Sequence, residues 1–282
     1  MRPGGDVVGR EASFWQSFWD GQAMLSDETR AVRGDVLHLH PYFQHILDTF
    51  TDRLLDFRLD DVVLDAGCGT GIYIRKYAKD VKVFDGFDIS PVMVERAQQF
   101  LHIAGITNAE VIVGDLREMS RYETNSRTKI LCRSVLQYLN DGDTLNVLKE
   151  FQRITRDGGT IILHVKNGNS LYGITLKVGR WLRAIFKGRK PFYDAYRPSR
   201  WYLSTLEALN IEIVDSCSYC LYPVVFPAVL KRWILYADLL LLKIGIRHRF
   251  GVELWVVGKV MKGERGERDE DLHVDLRART QR

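Results

Sequence analysis

Short apolar runs that end in a polar residue recur along the chain, and a helical pattern separates each run from the next. The predicted strands cover residues 62–65, 81–88, 109–116, 129–132 and 160–165. Helical periodicity fills residues 91–104 and 141–154, and two later apolar runs at 211–219 and 252–261 complete the set. Strands that alternate with helices of this length predict a mostly parallel sheet with helices on both faces. The pattern therefore predicts a doubly wound α/β fold around a seven-stranded sheet.

Capping residues and glycines mark the ends of these elements. Ser90, followed by a proline, is typical of a helix N-terminus, and Gly105 is typical of a helix end. Asn140 or Asp141 can cap the next helix, and the glycine pair within residues 157–159 predicts a turn into the fifth strand. The boundaries read from periodicity thus agree with the local turn chemistry.

A glycine-rich loop follows the first strand. Glycines at alternate positions, Gly67, Gly69 and Gly71, let the backbone approach a small ligand closely. A dinucleotide-binding loop needs glycine at its first, third and sixth positions, and the sixth position counted from Gly67 is Ile72. Asp65, two residues before the loop, would repel a pyrophosphate and attract an ammonium or a sulfonium. The loop therefore favours a positively charged ligand over NAD.

The segment from Leu64 to Gly71 resembles motif I of the class I S-adenosylmethionine-dependent methyltransferases, where an acid and one residue precede Gly-x-Gly-x-Gly. The resemblance covers roughly residues 54–167 and continues weakly through 201–261. It implies S-adenosylmethionine as cofactor. It also implies cofactor contacts for a larger set of residues: Asp65, Ala66, Gly67, Cys68, Gly69, Gly71, Asp88, Ile89, Met93, Asp115, Leu116 and Ser134.

Four of these residues end predicted strands, where a parallel sheet binds its ligands: Asp65, Asp88, Asp115 and Ser134. Asp88 lies seventeen residues after Gly71, near the usual place of an acid that accepts hydrogen bonds from ribose hydroxyls. The resemblance gives Asp88 the same role. It further implies that Asp115 binds the adenine amino group and that Met93 contacts the adenine ring.

A methyl transfer needs a general base only when the acceptor must lose a proton. For a hydroxyl acceptor, His164 near the end of the fifth strand is the first candidate, because imidazole titrates in the useful range. Tyr138 is the second. His164 can equally be a strand residue whose ring is satisfied by a structural hydrogen bond. In the resembling family a histidine often stands near the position of Gln137, which this chain lacks.

The remaining sequence predicts a helical N-terminal cap (residues 1–53), the catalytic domain (54–262) and a charged, disordered tail (263–282). Residues 1–10 contain no apolar run typical of a secretory signal or a membrane span, so we expect a cytoplasmic protein. The four cysteines are expected to be reduced, and no residue cluster has metal-ligand spacing.

Two helical insertions, residues 168–200 and 221–251, exceed a minimal domain of this kind and follow strands 5 and 6. Between Lys177 and Arg200 there are eight basic residues and one acid, Asp194. The second insertion has apolar residues over more than one helix face. It either packs as a lid or dimer contact or lies on an anionic membrane surface.

We expect the acceptor to be a small or amphiphilic molecule, such as a lipid-linked saccharide or a glycolipid precursor. Candidate acceptor contacts are aromatic and basic: Phe14, Trp15, Tyr42, Tyr193, Tyr196, Arg197 and Trp201. Nucleic acid is disfavoured, because no separate RNA-binding module is visible and no Asp/Asn-Pro-Pro-Tyr element follows the fourth strand. An NAD-dependent oxidoreductase or epimerase and a non-catalytic cofactor-binding protein remain as alternatives.

Overall fold

The sheet has seven strands in the order β3-β2-β1-β4-β5-β7-β6. The computed structural model describes residues 12–23, 41–171, 173–175, 196–219, 227–246 and 250–263. The strands are β1 (Val62–Ala66), β2 (Val83–Asp88), β3 (Val111–Val113), β4 (Arg127–Arg133), β5 (Thr155–Lys166), β6 (Ile211–Tyr219) and β7 (Glu253–Val260). β7 runs antiparallel to its two neighbours, β5 and β6, and the other adjacent pairs of this sheet are parallel. The predicted α/β fold is confirmed.

Helices cover both faces of the sheet. They are α1 (Ala12–Ala23), α2 (Pro41–Leu55), α3 (Ile72–Tyr77), α4 (Pro91–Ile103), α5 (Asp141–Ile154), α6 (Ser199–Ala208) and α7 (Ala228–Lys243). Alternate residues of a strand point to opposite faces. Val63 accordingly joins a core with α2, α3, α4 and α7, while Leu64 joins a second core with α5 and α6.

Several element boundaries differ from the sequence prediction. Strand β3 is only three residues long, because the chain leaves the sheet at Gly114, whose N–H still donates to Asp88 O at 2.9 Å. Strand β5 begins earlier than predicted, at Thr155, and the expected turn is an irregularity within it, with Gly158 at φ 70°. Asn140 rather than Asp141 caps α5, accepting from Asp143 N at 2.8 Å.

The second predicted insertion forms α7. Its residues Leu235, Leu239 and Leu242 are buried against the domain, and its other apolar stripe is exposed. Most of the first insertion, Cys220 and residues 264–282 of the charged tail lie outside the described residues. Within the described part of the chain, none of the helices combines the length and apolar character that a bilayer crossing requires.

Candidate functional site

A cavity of about 140 Å³ opens at the carboxyl ends of β1, β2 and β4. Ten of the twelve residues predicted to contact the cofactor line it: Asp65, Gly67, Cys68, Gly69, Asp88, Ile89, Met93, Asp115, Leu116 and Ser134. Strands in one parallel sheet end at the same edge, so residues distant in sequence meet there. The other two predicted residues, Ala66 and Gly71, do not line it.

Ala66 and Gly71 have structural roles at the two ends of the loop. The side chain of Ala66 is fully buried in the core on the α5 and α6 face. Gly71 caps α3 in the left-handed region, at φ 72°, and an added Cβ would lie 3.2 Å from Ala97 Cβ in α4. Gly71 therefore permits the turn and the approach of two helices.

Hydrogen bonds to β2 fix the backbone of the glycine loop. The backbone N–H groups of Gly67 and Cys68 both donate to Phe87 O, at 2.9 and 3.0 Å. Gly67 adopts φ 83°, a conformation that glycine tolerates better than other residues. An added Cβ there would lie 2.4 Å from Val135 Cγ2, so both the backbone conformation and the space require glycine.

Two carboxylates lie beside this loop, those of the buried Asp65 and the half-buried Asp88. Asp88 Oδ2 accepts from Gly69 N at 2.8 Å, and its Oδ1 accepts from Ser90 N at 3.0 Å. Asp65 is 2% exposed, and burial raises its pKa to about 7, with Asp88 adding repulsion and Arg133 opposing the shift. Burying a carboxylate in a cavity wall stabilises its neutral form until a cation arrives. This arrangement fits a ligand that brings an ammonium to Asp65.

Asp115 pairs with Arg117 in the lining of the same cavity. Arg117 Nε lies 3.0 and 3.1 Å from the two carboxylate oxygens of Asp115, and both residues line the cavity. Burial alone would raise the pKa of Asp115, but the hydrogen bonds and charge of Arg117 outweigh it and lower the pKa. Asp115 is therefore held as a carboxylate, which can accept a hydrogen bond from an amino group.

Helix α1 covers the cavity with aromatic residues. Trp15 and Trp19 lie one helical turn apart and both line it, and their rings contact Tyr138 at centroid distances of 4.6 and 5.6 Å. Asp20 Oδ1 accepts from Ser90 Oγ at 2.5 Å. Ser90 in turn caps α4, since its Oγ accepts from Met93 N at 3.2 Å. The lid helix is thus fastened to the same helix end that carries Met93.

A row of polar side chains crosses the sheet behind Ser134. Strand pairing places Arg133 beside His164 and His164 beside Trp255. Ser134 adopts φ 56°, and its Oγ lies 3.0 Å from His164 Nδ1. His164 Nε2 lies 3.1 Å from Glu253 Oε2, outside ideal hydrogen-bond geometry. This row exists because β7 lies antiparallel beside β5.

His164 does not line the cofactor cavity. Its side chain is 2% exposed, and Trp255 packs on its ring at 4.5 Å. Burial lowers its pKa to about 4, against the opposing effect of Glu253. His164 Nδ1 instead lies 3.0 Å from the Oγ of Ser134, a residue that lines the cavity. Tyr138, the second candidate base, does line the cavity.

Most predicted acceptor contacts lie elsewhere. Tyr193 lies outside the described residues, and of the six that the structure describes only Trp15 lines the cavity; Phe14 packs on Trp15. Tyr42 is largely exposed and accepts a hydrogen bond from Lys243 Nζ at 2.9 Å. Tyr196 is half-buried away from the cavity, and its carbonyl oxygen packs against Gly168.

Arg197, packed on Trp201, holds the segment after β4 in place. The buried guanidinium of Arg197 donates to Leu136 O at 3.1 Å, to Leu139 O at 2.7 Å and to Asp141 Oδ1 at 2.7 Å. It also lies over the Trp201 ring, 4.9 Å from its centroid. These contacts fix the segment after β4, so Arg197 is committed to the fold rather than to a ligand.

Sequence reasoning missed several residues that line the cavity, chiefly Trp19, Tyr73, Arg117 and Arg133. Trp19 could have been found from its spacing of one turn from Trp15. Arg133 directly precedes Ser134 at the end of β4, but strand alternation alone does not reveal that its side chain borders a ligand cavity.

Residues 63–159 match a family model described as a methyltransferase domain. A stretch of 64 residues, 23% of this chain, is 41% identical to an uncharacterized RNA methyltransferase of Lactobacillus johnsonii and spans 14% of that protein. This match agrees with S-adenosylmethionine rather than NAD as cofactor and with an enzymatic role.

Solved structures share the fold. Phosphoethanolamine N-methyltransferase 1 of Haemonchus contortus, in complex with phosphoethanolamine and S-adenosylhomocysteine, is 17% identical with a TM-score of 0.63; the alignment covers 96% of this chain and 53% of that one. Geranyl diphosphate C-methyltransferase of Streptomyces coelicolor A3(2) is 13% identical with a TM-score of 0.59, covering 91% and 100%. Residues 63–159 thus match a methyltransferase domain, and the solved structures show that the described chain has the fold of such enzymes.

Proposed function

We propose that this methyltransferase acts on an oxygen atom of a small or amphiphilic acceptor and that Ser134 receives the proton the acceptor loses. The observation that carries the proposal is the 3.0 Å contact between Ser134 Oγ, at the cavity wall, and His164 Nδ1 behind it. S-adenosylmethionine, when bound, supplies a methyl group on a positively charged sulfur. A hydroxyl acceptor must lose a proton, so a path that removes it has a purpose here.

The surroundings of His164 favour one tautomer. Glu253 Oε2 lies 3.1 Å from Nε2, and a ring nitrogen lone pair facing a carboxylate would be repelled. The proton of the neutral ring therefore belongs on Nε2, which leaves Nδ1 as an acceptor. Ser134 Oγ–H then donates to His164 Nδ1, and Oγ can still accept a hydrogen bond from a group in the cavity that Ser134 lines.

The proton balance follows from this arrangement. The methyl group would leave the cofactor sulfur, which becomes the neutral thioether of S-adenosylhomocysteine, and would bond to the acceptor oxygen. The proton that this oxygen loses would pass to Ser134 Oγ, and the serine proton would pass to His164 Nδ1. Burial keeps the pKa of His164 at about 4, so the ring is a weak base in the resting protein. We expect proton transfer only as the oxygen bonds to carbon, with Glu253 stabilising the imidazolium.

A direct test separates proton removal from packing. In His164→Asn the side-chain amide can still hydrogen-bond to Ser134 but cannot take a proton. We expect turnover to fall by about 100-fold, with S-adenosylhomocysteine affinity unchanged. The matched control is His45→Asn, because His45 is exposed on α2. Equal turnover in His164→Asn and wild type would contradict the proposal, and a loss confined to Tyr138→Phe would assign proton removal to Tyr138.

The acceptor class can be found with methyl-labelled cofactor. We propose incubating the protein with it and with separated lipid, saccharide and RNA fractions of a cell extract. Label in the lipid or saccharide fraction, in an ether or ester linkage, is the expected result. Label in RNA, or on nitrogen or carbon, would contradict the proposed acceptor class.

The exposed stripe of α7 supports an amphiphilic acceptor. Val229, Trp233, Leu240 and Ile244 recur at helical spacing, and Trp233 is 66% exposed. The opposite stripe already provides the packing of α7 against the domain. Large exposed apolar patches commonly contact a membrane, a ligand or a partner. Arg232, exposed beside the stripe, is suited to an anionic surface.

Vesicles test this part of the proposal. We expect wild type to co-sediment with phosphatidylglycerol vesicles and Trp233→Glu to do so much less. Ile103→Glu is the matched control, because Ile103 is an exposed apolar residue at the end of another helix. Equal sedimentation of wild type and Trp233→Glu would remove the membrane contact from the proposal and leave the cofactor chemistry untouched.

A further inference from the structure

A second cavity lies beside the cofactor cavity, between α2, α3 and the strand ends of β6 and β7. Its volume is about 60 Å³. Ile72, Tyr73 and Arg133 line both cavities, whereas Thr51 and Trp255 line only the second. The two spaces therefore share a wall, and Arg133 is part of it.

Two N–H donors in this wall lack a partner. Arg133 Nε and Trp255 Nε1 are both buried without a hydrogen bond to any residue that the structure describes. Their side chains stand in one row, because Arg133 pairs with His164 and His164 pairs with Trp255 across the sheet. Buried donors are nearly always hydrogen-bonded in folded proteins. A ligand with acceptor atoms would complete both donors at once.

The other charged groups discussed around this wall form ion pairs with one another, so Arg133 is the cation that can serve a ligand there. Glu253 forms an ion pair with Lys166 Nζ and lies beside His164, so its negative charge is already compensated. Lys76, at the rim, pairs with Asp52 at 3.1 Å and with Asp48 at 3.7 Å. The guanidinium of Arg133 instead lies over the Tyr73 ring, 5.3 Å from the centroid.

We infer that the second cavity binds an oxyanion of the methyl acceptor, a carboxylate or a phosphate group, with Arg133 and Trp255 as its donors. This inference rests on the proposed function, in which the acceptor binds beside the cofactor. A cavity of about 60 Å³ holds a head group but not a whole amphiphile, so the rest of the acceptor extends toward the cofactor cavity. Guanidinium groups are well suited to carboxylate and phosphate.

The carboxylate of the cofactor is the competing source of the same chemistry. Arg133 alone could serve it, because Arg133 also lines the cofactor cavity. Trp255, whose Nε1–H has no partner among the described residues, lines the second cavity and not the first. The two donors together therefore favour an anion on the acceptor.

The test uses the full chain and two probes, inorganic phosphate and pyrophosphate, titrated calorimetrically with S-adenosylhomocysteine present. We expect the wild type to bind pyrophosphate, Arg133→Gln to bind it about 10- to 100-fold more weakly, and Trp255→Phe to bind it about 3- to 10-fold more weakly. Arg75→Gln is the charge-matched control, because Arg75 is exposed on α3 and lines neither cavity.

Three results would overturn the inference. They are absence of anion binding by the wild type, equal binding by wild type and Arg133→Gln, and an equal loss in Arg75→Gln. A fourth result would assign Arg133 to the cofactor and would also overturn the inference. In it, Arg133→Gln weakens the binding of S-adenosylhomocysteine but not that of 5′-methylthioadenosine, which lacks the amino acid carboxylate, and leaves pyrophosphate binding unchanged. Trp255→Phe keeps the ring in the core, so it remains informative where Arg133→Gln fails to fold.

Failure of the anion site and failure of the proposed function give different results. Pyrophosphate binding that depends on Arg133, without any oxygen methylation, would support an anion site and refute the proposed chemistry. Oxygen methylation that is lost in His164→Asn but has an unchanged acceptor KM in Arg133→Gln would refute the anion site and support the proposed chemistry.

Discussion

We predict that Asp65 makes cofactor binding depend on pH. Its carboxylate is 2% exposed at the cavity wall, and burial raises its pKa from 3.8 to about 7. Only the ionised form attracts an ammonium, so binding must first ionise the group. With a pKa of about 7, roughly one tenth of the groups are ionised at pH 6 and roughly nine tenths at pH 8.

The affinity for S-adenosylhomocysteine should therefore rise roughly tenfold between pH 6 and pH 8, which is about 1.4 kcal/mol. Calorimetry in two buffers with different heats of ionisation measures the same effect as proton release, about half a proton per ligand at pH 7. Asp65→Asn should bind more weakly at pH 8 and lose most of this pH dependence.

Asp115→Asn is the matched control, because Asp115 lines the same cavity but has a lowered pKa and stays ionised over this range. Its removal should weaken binding without changing the slope. Affinity that is independent of pH in the wild type, or an equal slope in Asp65→Asn, would refute the electrostatic role of Asp65.

Three further predictions test the loop, the lid and the buried histidine. Gly67→Ala should destabilise the protein by roughly 1–3 kcal/mol in chemical denaturation, because φ 83° is strained for alanine and the new Cβ meets Val135; stability within 0.5 kcal/mol of wild type would contradict the crowding. Asp20→Ala should weaken S-adenosylhomocysteine binding by roughly 3- to 10-fold by releasing α1 from Ser90, and Asp80→Ala, an acid outside the cavity, should not. In the folded protein the pKa of His164 is about 4, below its ordinary 6.5, so between these values the unfolded chain binds a proton that the folded chain does not. The free energy of unfolding should therefore fall as pH decreases from 6.5 to 4, by up to about 3 kcal/mol. His164→Asn should reduce that loss, and an unchanged pH dependence in this variant would contradict the assignment.

The sequence predicts the sheet and much of the cavity lining well because both depend on local patterns. Strand ends carry Asp65, Asp88 and Asp115, and parallel strands bring their ends to one edge whatever the intervening chain does. The glycine spacing and the capping Ser90 are equally local. These features could therefore be located by position alone.

The acceptor side depends on contacts that no local pattern records. Arg133, His164 and Trp255 meet because β7 enters the sheet antiparallel between β5 and β6, in one particular register. Aromatic and basic composition suggested Tyr42 and Arg197 instead. Tyr42 pairs with α7, and Arg197 is committed to backbone carbonyls that only the folded chain presents.

The central claim is tested most directly by locating the transferred methyl group. Wild-type protein and His164→Asn are incubated with methyl-labelled S-adenosylmethionine and a fractionated extract, and the product is analysed by mass spectrometry and NMR. We predict an oxygen-linked methyl group, formed about 100-fold more slowly by His164→Asn at equal cofactor affinity. A label on nitrogen or carbon, formed equally fast by both proteins, would contradict the account.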